Sequence, residues 1–257
     1  MKFYQIRLLL ISLFSIVASL QATEVYPEWF LFPRLYPNII TGYTYNGMPA
    51  DSDAANMFLA YRECIVVGTL EILEDETTND MLKNSNYFYY FSADSVEHLR
   101  ERLKPVDRFD VNMFTHDQIF AYTLNQAVDL NAPRIDSNTL PEPVWKDKNF
   151  YEDNLYYYGV GMYTAIGREN DAWKTTEEQA VFTILTALAV NVYKIQISEN
   201  DGGPGALTSS FDQISFIKLK FLLKNITVLE RFPDRNNKLF YALVRIPKRG
   251  IISPMLR

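Results

Sequence analysis

One stretch restricts the fold more than any other. In residues 175–192, Ala180, Val181, Ile184, Leu185, Leu188, Ala189 and Val192 recur at helical spacing. That spacing lays a single apolar stripe along a helix, wide enough to rest on a sheet. Thr175 stands three residues before Glu178, an arrangement in which the two side chains satisfy free amides at a helix start, so the helix is expected to begin there. Downstream, residues 226–231 and 238–246 are β-rich runs separated by Phe232-Pro233-Asp234-Arg235-Asn236-Asn237, a hairpin pattern. A helix across a small antiparallel sheet is the assembly these segments predict, which places the chain in the α+β class.

Residues 1–22 read as a secretory signal. Lys2 and Arg7 supply a positive start, an apolar run of about ten residues follows from Leu8 to Val17, and Leu20-Gln21-Ala22 puts small Ala22 before a cleavage point. The run falls short of the roughly 20 residues a membrane span needs. Cleavage is the favoured reading and an uncleaved anchor its rival. No second hydrophobic segment of spanning length follows, so the remainder is expected to be soluble or peripheral.

The chain carries 25 Lys+Arg and 31 Asp+Glu, a formal charge of −6. Loss of Lys2 and Arg7 with the signal leaves 23 against 31, or −8. That balance argues against nucleic acid, whose phosphates demand a basic face. The single cysteine, Cys64, excludes an intramolecular disulfide. It stands among Tyr61, Ile65 and Val66 and is expected to be a small core residue rather than a reactive thiol. With 48% of the residues apolar, the chain is long enough for one large core or two ordinary ones.

The chain repeats its grammar. Trp29 is followed by Pro33 and Pro37, Gly42-Tyr43-Thr44-Tyr45, Asp53-Ala54, and a stripe through Ala54, Ala55, Phe58, Leu59, Ile65 and Val66. Trp145 is followed by Tyr156-Tyr157-Tyr158-Gly159-Val160-Gly161, Asp171-Ala172, and the stripe that opened this section. Ile119-Phe120-Ala121-Tyr122-Thr123-Leu124 resembles Leu239-Phe240-Tyr241-Ala242-Leu243-Val244, and the offset between matching features lies between about 116 and 126 residues. The first stripe is weaker, with Arg62 and Glu63 where the second has Leu188 and Ala189. Tandem duplication and coincidence both explain this, because helix-then-hairpin is common in α+β proteins. The organisation expected is a signal at 1–22, a first α+β lobe at 23–130, a linker at 131–148 marked by Pro133, Pro141 and Pro143, and a second lobe at 149–257.

Residues 86–91, Asn-Tyr-Phe-Tyr-Tyr-Phe, predict a strand covered on both faces. Residues 94–103 predict a short helix stopped by Pro105. Asp201-Gly202-Gly203-Pro204-Gly205 lacks the Lys-Ser/Thr ending of a phosphate cradle and reads as a loop. Motifs that carry chemistry are thin. The two histidines, His98 and His116, are too few for a convincing zinc site: His98 falls on a polar helix face and His116-Asp117 in a turn. Glu74-Asp75-Glu76 reads as a solvated run at a helix end, since no spaced Asp/Asn-Gly calcium loop surrounds it. The 17 Tyr and 17 Phe fall mostly in strand-like runs, which makes core packing their ordinary role. No catalytic, cofactor or metal residue is singled out.

Tyr158-Gly159-Val160-Gly161, the helix from Gln179, Asn225-Ile226-Thr227-Val228-Leu229-Glu230 and Phe240-Tyr241-Ala242-Leu243-Val244-Arg245-Ile246 together resemble the bacterial twenty-kilodalton membrane-associated lipoproteins (the LPP-twenty type). The related domain of flagellar-ring assembly proteins looks similar. The resemblance implies a helix-on-antiparallel-sheet domain of the bacterial envelope, with no catalytic site to carry over. The chain departs from it in having no cysteine at the end of the signal, where a lipid would attach.

The expectation is therefore a non-enzymatic, periplasmic or secreted envelope protein that binds an envelope or flagellar protein, with peripheral membrane association compatible and the oligomeric state open. The alternative is an exported hydrolase or ligand-binding enzyme with its site between the lobes. Export makes one prediction: N-terminal sequencing of the protein from its native host reads from Thr23, and a product that retains Lys2 overturns the export reading.

Overall fold

The computed structural model describes residues 25–44, 47–74, 88–90, 93–112, 117–164, 167–200 and 213–252. The residues assigned to the signal and the Gly-rich loop at 201–205 lie outside them. The fold is α+β. Helix α1 is Glu28–Leu31, α2 is Ala50–Arg62, α3 is Ala93–Arg100 and α4 is Glu169–Asn200.

Two antiparallel sheets each carry one long helix. Strands β2 (Ile40–Tyr43), β5 (Leu103–Asn112) and β6 (Asp117–Leu124) form a sheet in the order β2-β6-β5, against which α2 packs. Strands β8 (Phe150–Glu152), β9 (Tyr156–Thr164), β11 (Thr227–Asp234) and β12 (Leu239–Pro247) form the order β11-β12-β9-β8, covered by α4. In both, a strand leads into the helix and a later hairpin inserts its second strand beside that first one. What joins the halves is the strand after each helix. β3 (Glu63–Glu74) and β10 (Gln213–Lys224) leave their own sheets and pair with each other, antiparallel, from Glu63↔Lys224 to Glu74↔Gln213. β4 (Phe88–Tyr90) and β13 (Ile251–Ile252) flank this ladder in the order β13-β10-β3-β4.

The cores follow the pairing. One cluster joins Ala60, Cys64 and Val66 to Ala180, Ile184, Leu185, Leu223 and Val244. Another joins Trp29, Phe30, Tyr43 and Ile119 to Ala172, Trp173 and Phe240. Both draw on the two halves of the chain. Residues 131–148 are not a bare connection either. They carry β7 (Arg134–Asp136), which pairs with β1 (Val25–Pro27), and Trp145, which is buried against Val160 and Leu243.

Several boundaries differ from those expected. α4 is 32 residues long and starts at Glu169, so Thr175 lies inside it and its hydroxyl donates to the Asp171 carbonyl at 2.8 Å instead of capping. Glu169 and Asp171 place negative charge in the first turn, where the helix dipole favours it, and Ala172 and Trp173 carry the apolar face forward onto Phe240. Ile65 and Val66, read as part of the first stripe, belong to β3; the helix ends at Arg62. Pro105 stops no helix. It sits in edge strand β5 beside a register shift, where a missing amide is tolerated. The strand expected within residues 86–91 is present as β4, Phe88–Tyr90, at the edge of its sheet. The 232–237 hairpin is present, but β11 runs on through Pro233 to Asp234, and Lys238 (φ 53°) turns the chain while the Asp234 carboxylate accepts the Asn237 amide at 3.1 Å.

Among the described glycines, those of β9 lie closest to a neighbouring helix, α4. A Cβ on Gly161 would lie 1.9 Å from the Thr176 carbonyl oxygen, and one on Gly159 would lie 2.1 Å from that of Ala180. Only the absent side chain lets strand and helix backbones touch there. Gly161→Ala is therefore expected to cost at least the 1–3 kcal/mol or so typical of overpacking. Met162→Ala, at the next and exposed position, should move the urea midpoint far less. Equal shifts would show that the strand does not lie as described.

Candidate functional site

The front of α4 turns a polar face towards the first half. Asn170, Lys174 and Glu177 follow one another at helical spacing, and each meets a group from the N-terminal half. The Asn170 side-chain amide donates to the Thr44 carbonyl at 2.9 Å and to the Gln118 carbonyl at 3.2 Å. Lys174 pairs with Asp53 of α2, whose other oxygen accepts the Tyr43 amide at 3.0 Å. Just ahead of the helix, Arg168 holds buried Asp117 of β6 with Nε at 3.0 Å.

Glu177 is the centre of this seam and is 1% exposed. Its Oε1 accepts the Tyr43 hydroxyl at 2.7 Å and Arg231 Nε at 2.7 Å, and its Oε2 accepts the Tyr61 hydroxyl at 2.6 Å. Arg231, from β11, also donates to the Phe30 carbonyl and lies 4.4 Å above the Phe30 ring. Strand β2 and helices α1, α2 and α4 thus converge with β11 on one ion pair. Burial pushes the Tyr43 phenol well above its ordinary value, with Arg231 opposing and Glu177 adding to the rise. Burial also raises the Asp53 carboxyl against the pull of Lys174. Burial disfavours the charged guanidinium of Arg231, yet the Glu177 carboxylate beside it leaves its pKa above the ordinary value. With three donors in place, Glu177 clamps β11 to β2, α2 and α4.

Two concavities flank the seam. A cavity of about 430 Å³ opens above Tyr61, Glu177 and Arg231, walled by Ile39, Met57, Phe58, Ile226 and Val228. A wider groove of about 1030 Å³ runs past Trp145, Tyr151, Tyr158 and Phe232, with Pro141 and Pro143 along one side. At its edges Leu35 is 57% and Val144 89% exposed. Tyr151 and Tyr158 stack with centroids 4.6 Å apart and planes 2° from parallel. Lys148 Nζ sits 5.1 Å over Tyr151, and the Arg245 guanidinium 4.5 Å over Tyr156. Neither cation has a carboxylate partner among the described residues.

The residues flagged by sequence are not brought together. His98 is exposed on α3, and His116 lies outside the described residues. Asp117 is no turn residue but a buried strand residue paired with Arg168. Glu74 ends strand β3, not a helix, and Asp75 and Glu76 lie outside the described residues. Cys64 is 1% exposed, and burial first, then Glu63, pushes its thiol up to about 12, which leaves it protonated and unreactive. Among the described residues, no group of three or more His, Cys, Asp or Glu is placed to hold a metal ion. Sequence reasoning missed Glu177 and Arg231. The signal was there in part: Glu177, Ala180 and Ile184 share one helix face, so a charge stands in line with the buried stripe.

Comparison with family models, with curated proteins and with solved structures returned no match.

Removing one partner of a buried ion pair strands the other and costs about 3–5 kcal/mol, whereas replacing both by apolar residues is often close to neutral. Glu177→Leu and Arg231→Met are each expected to destabilise by that amount, and the double variant by much less than their sum. A double-mutant cycle in denaturant measures the coupling. Additive losses would show that the two residues do not act as a pair.

Proposed function

We propose that this chain is an exported envelope protein that acts without catalysis, by binding another protein, with flagellar or surface assembly as its setting. The observation that carries the reading is the groove beside Trp145. It joins stacked aromatic rings, proline ridges, exposed Leu35 and Val144, and two cations with no carboxylate partner on a chain whose net charge is negative. Exposed apolar residues rimmed by charge mark protein-interaction sites, and aromatic residues with arginine are the usual anchors of such contacts. A segment of an envelope or flagellar protein that carries acidic and apolar side chains fits this lining. The resemblance to envelope lipoproteins supports the same compartment, with the Thr23 start as its independent test.

The rival reading, an exported hydrolase or ligand-binding enzyme, rests on the cavity between the halves. Its one deep carboxylate, Glu177, is held by Arg231 and two tyrosines, which speaks for a binding cavity and against hydrolysis.

Protein binding is tested by a photocrosslinking residue placed at Val144 in the full chain, expressed in its native host. One discrete adduct is expected, reduced several-fold by Lys148→Gln with Arg245→Gln. The same group at Leu155, which is 67% exposed and does not line the groove, should give none. Equal adducts from both positions, or none from Val144, would overturn the proposal.

A further inference from the structure

We propose that the 430 Å³ cavity between the halves binds a small amphipathic monocarboxylate, with its apolar body against Ile39, Met57, Phe58, Ile226 and Val228 and its carboxylate at Arg62. This inference is independent of the groove and of any protein partner.

Three observations carry it. The first is size and wall chemistry. The volume lies within the range of small-molecule sites, and the walls are aliphatic and aromatic, as a hydrocarbon body requires. The second is charge. Arg62 lines the cavity at the end of α2, is exposed, and has no carboxylate partner among the described residues. The neighbouring acid, Glu63, is paired with Lys224 at 3.0 Å. Glu177, at the other end of the cavity, is neutralised by Arg231 and by two hydroxyl donors. The cavity therefore carries one uncompensated positive charge, at its rim, where a carboxylate meets a guanidinium in two parallel hydrogen bonds without being buried.

The third observation is that the rim is already fixed. The Asn225 amide donates to the Arg62 carbonyl at 3.1 Å, and the Ile226 amide to the Tyr61 carbonyl at 2.7 Å. Asn225 adopts φ 59°, the left-handed conformation that asparagine tolerates, and so turns the chain from β10 into β11 across the end of α2. Binding would not have to order this stretch of backbone, so the cost of ordering falls on the Arg62 side chain and the ligand alone.

The probes are decanoate and its uncharged analogue decanamide, both below their micelle concentrations, titrated calorimetrically into the full chain. One-to-one saturable binding of decanoate is expected. Decanamide should bind at least tenfold more weakly, since it offers the Arg62 guanidinium no charge to pair with. Arg62→Gln should weaken decanoate at least tenfold and leave decanamide unchanged, and Met57→Trp, which fills the cavity, should abolish both. Arg62 is exposed and unpaired, so that variant should fold as the parent does; if Met57→Trp does not fold, Arg62→Gln alone decides. Absence of saturable decanoate binding, decanamide as tight as decanoate, or an Arg62→Gln variant with parental affinity would each overturn the proposal.

Discussion

The pairing of β3 with β10 is the constraint on which the rest of this structure depends. Each strand follows its own helix, and each could have closed its own sheet. By pairing with each other they bring the end of α2 against β11 and set α4 against both sheets. Hydrogen bonding along twelve residues of each strand satisfies backbone groups that would otherwise form bare edges, and the short strands β4 and β13 cover the two outer sides in part. The halves therefore share a sheet as well as two of the hydrophobic clusters, and stability in one is not separable from stability in the other.

That arrangement creates a problem at the junction, and the polar seam answers it. The face of α4 that carries Asn170, Lys174 and Glu177 is pressed against β2 and α2, so its polar groups lose water. The Asn170 amide, Lys174 and Glu177 each find a partner in the other half, a backbone carbonyl, Asp53, and Tyr43 with Tyr61, and Glu177 is also held by Arg231 of β11. Buried ion pairs of this kind add little net stability, because desolvation offsets most of the attraction. What they penalise strongly is a misplaced partner. A shift of α4 by one turn would leave charges buried without partners, whereas a purely apolar contact would slide at modest cost.

Local and non-local information were not equally legible in the sequence. The stripe of α4 was readable because Ala180, Ile184 and Leu185 are buried at helical spacing, and the 239–246 strand because a β-rich run next to turn residues is a local signal. The α+β class followed from these two elements. The β3–β10 ladder was not readable, since its partners stand some 150 residues apart and nothing in either strand names the other. Helix boundaries failed for a related reason. Thr175 and Glu178 form a capping pattern that is equally compatible with a helix interior, and packing of Trp173 on Phe240 decided between them. The seam was hidden because a charged residue on a helix is ordinarily a solvated one; Glu177 is distinguishable only by standing in line with the buried stripe. The groove was hidden more deeply, as Trp145, Tyr158, Phe232 and Arg245 come from a loop and three strands.

Arg231 lines both the cavity and the groove, which makes the Glu177 ion pair the partition between them. Two of its nitrogens are held, one by a carboxylate on α4 and one by the carbonyl of Phe30, and its flat face rests on the Phe30 ring. The wall is therefore fixed from two elements far apart in sequence and stands in place before anything binds. A flexible arginine in this position would have to be ordered by each ligand in turn, at a cost in side-chain entropy on the order of 1 kcal/mol or more. Held as it is, it shapes two concavities, one walled by Ile39, Met57, Phe58, Ile226 and Val228 and one by Trp145, Tyr151, Tyr158 and Phe232, from a single buried charge.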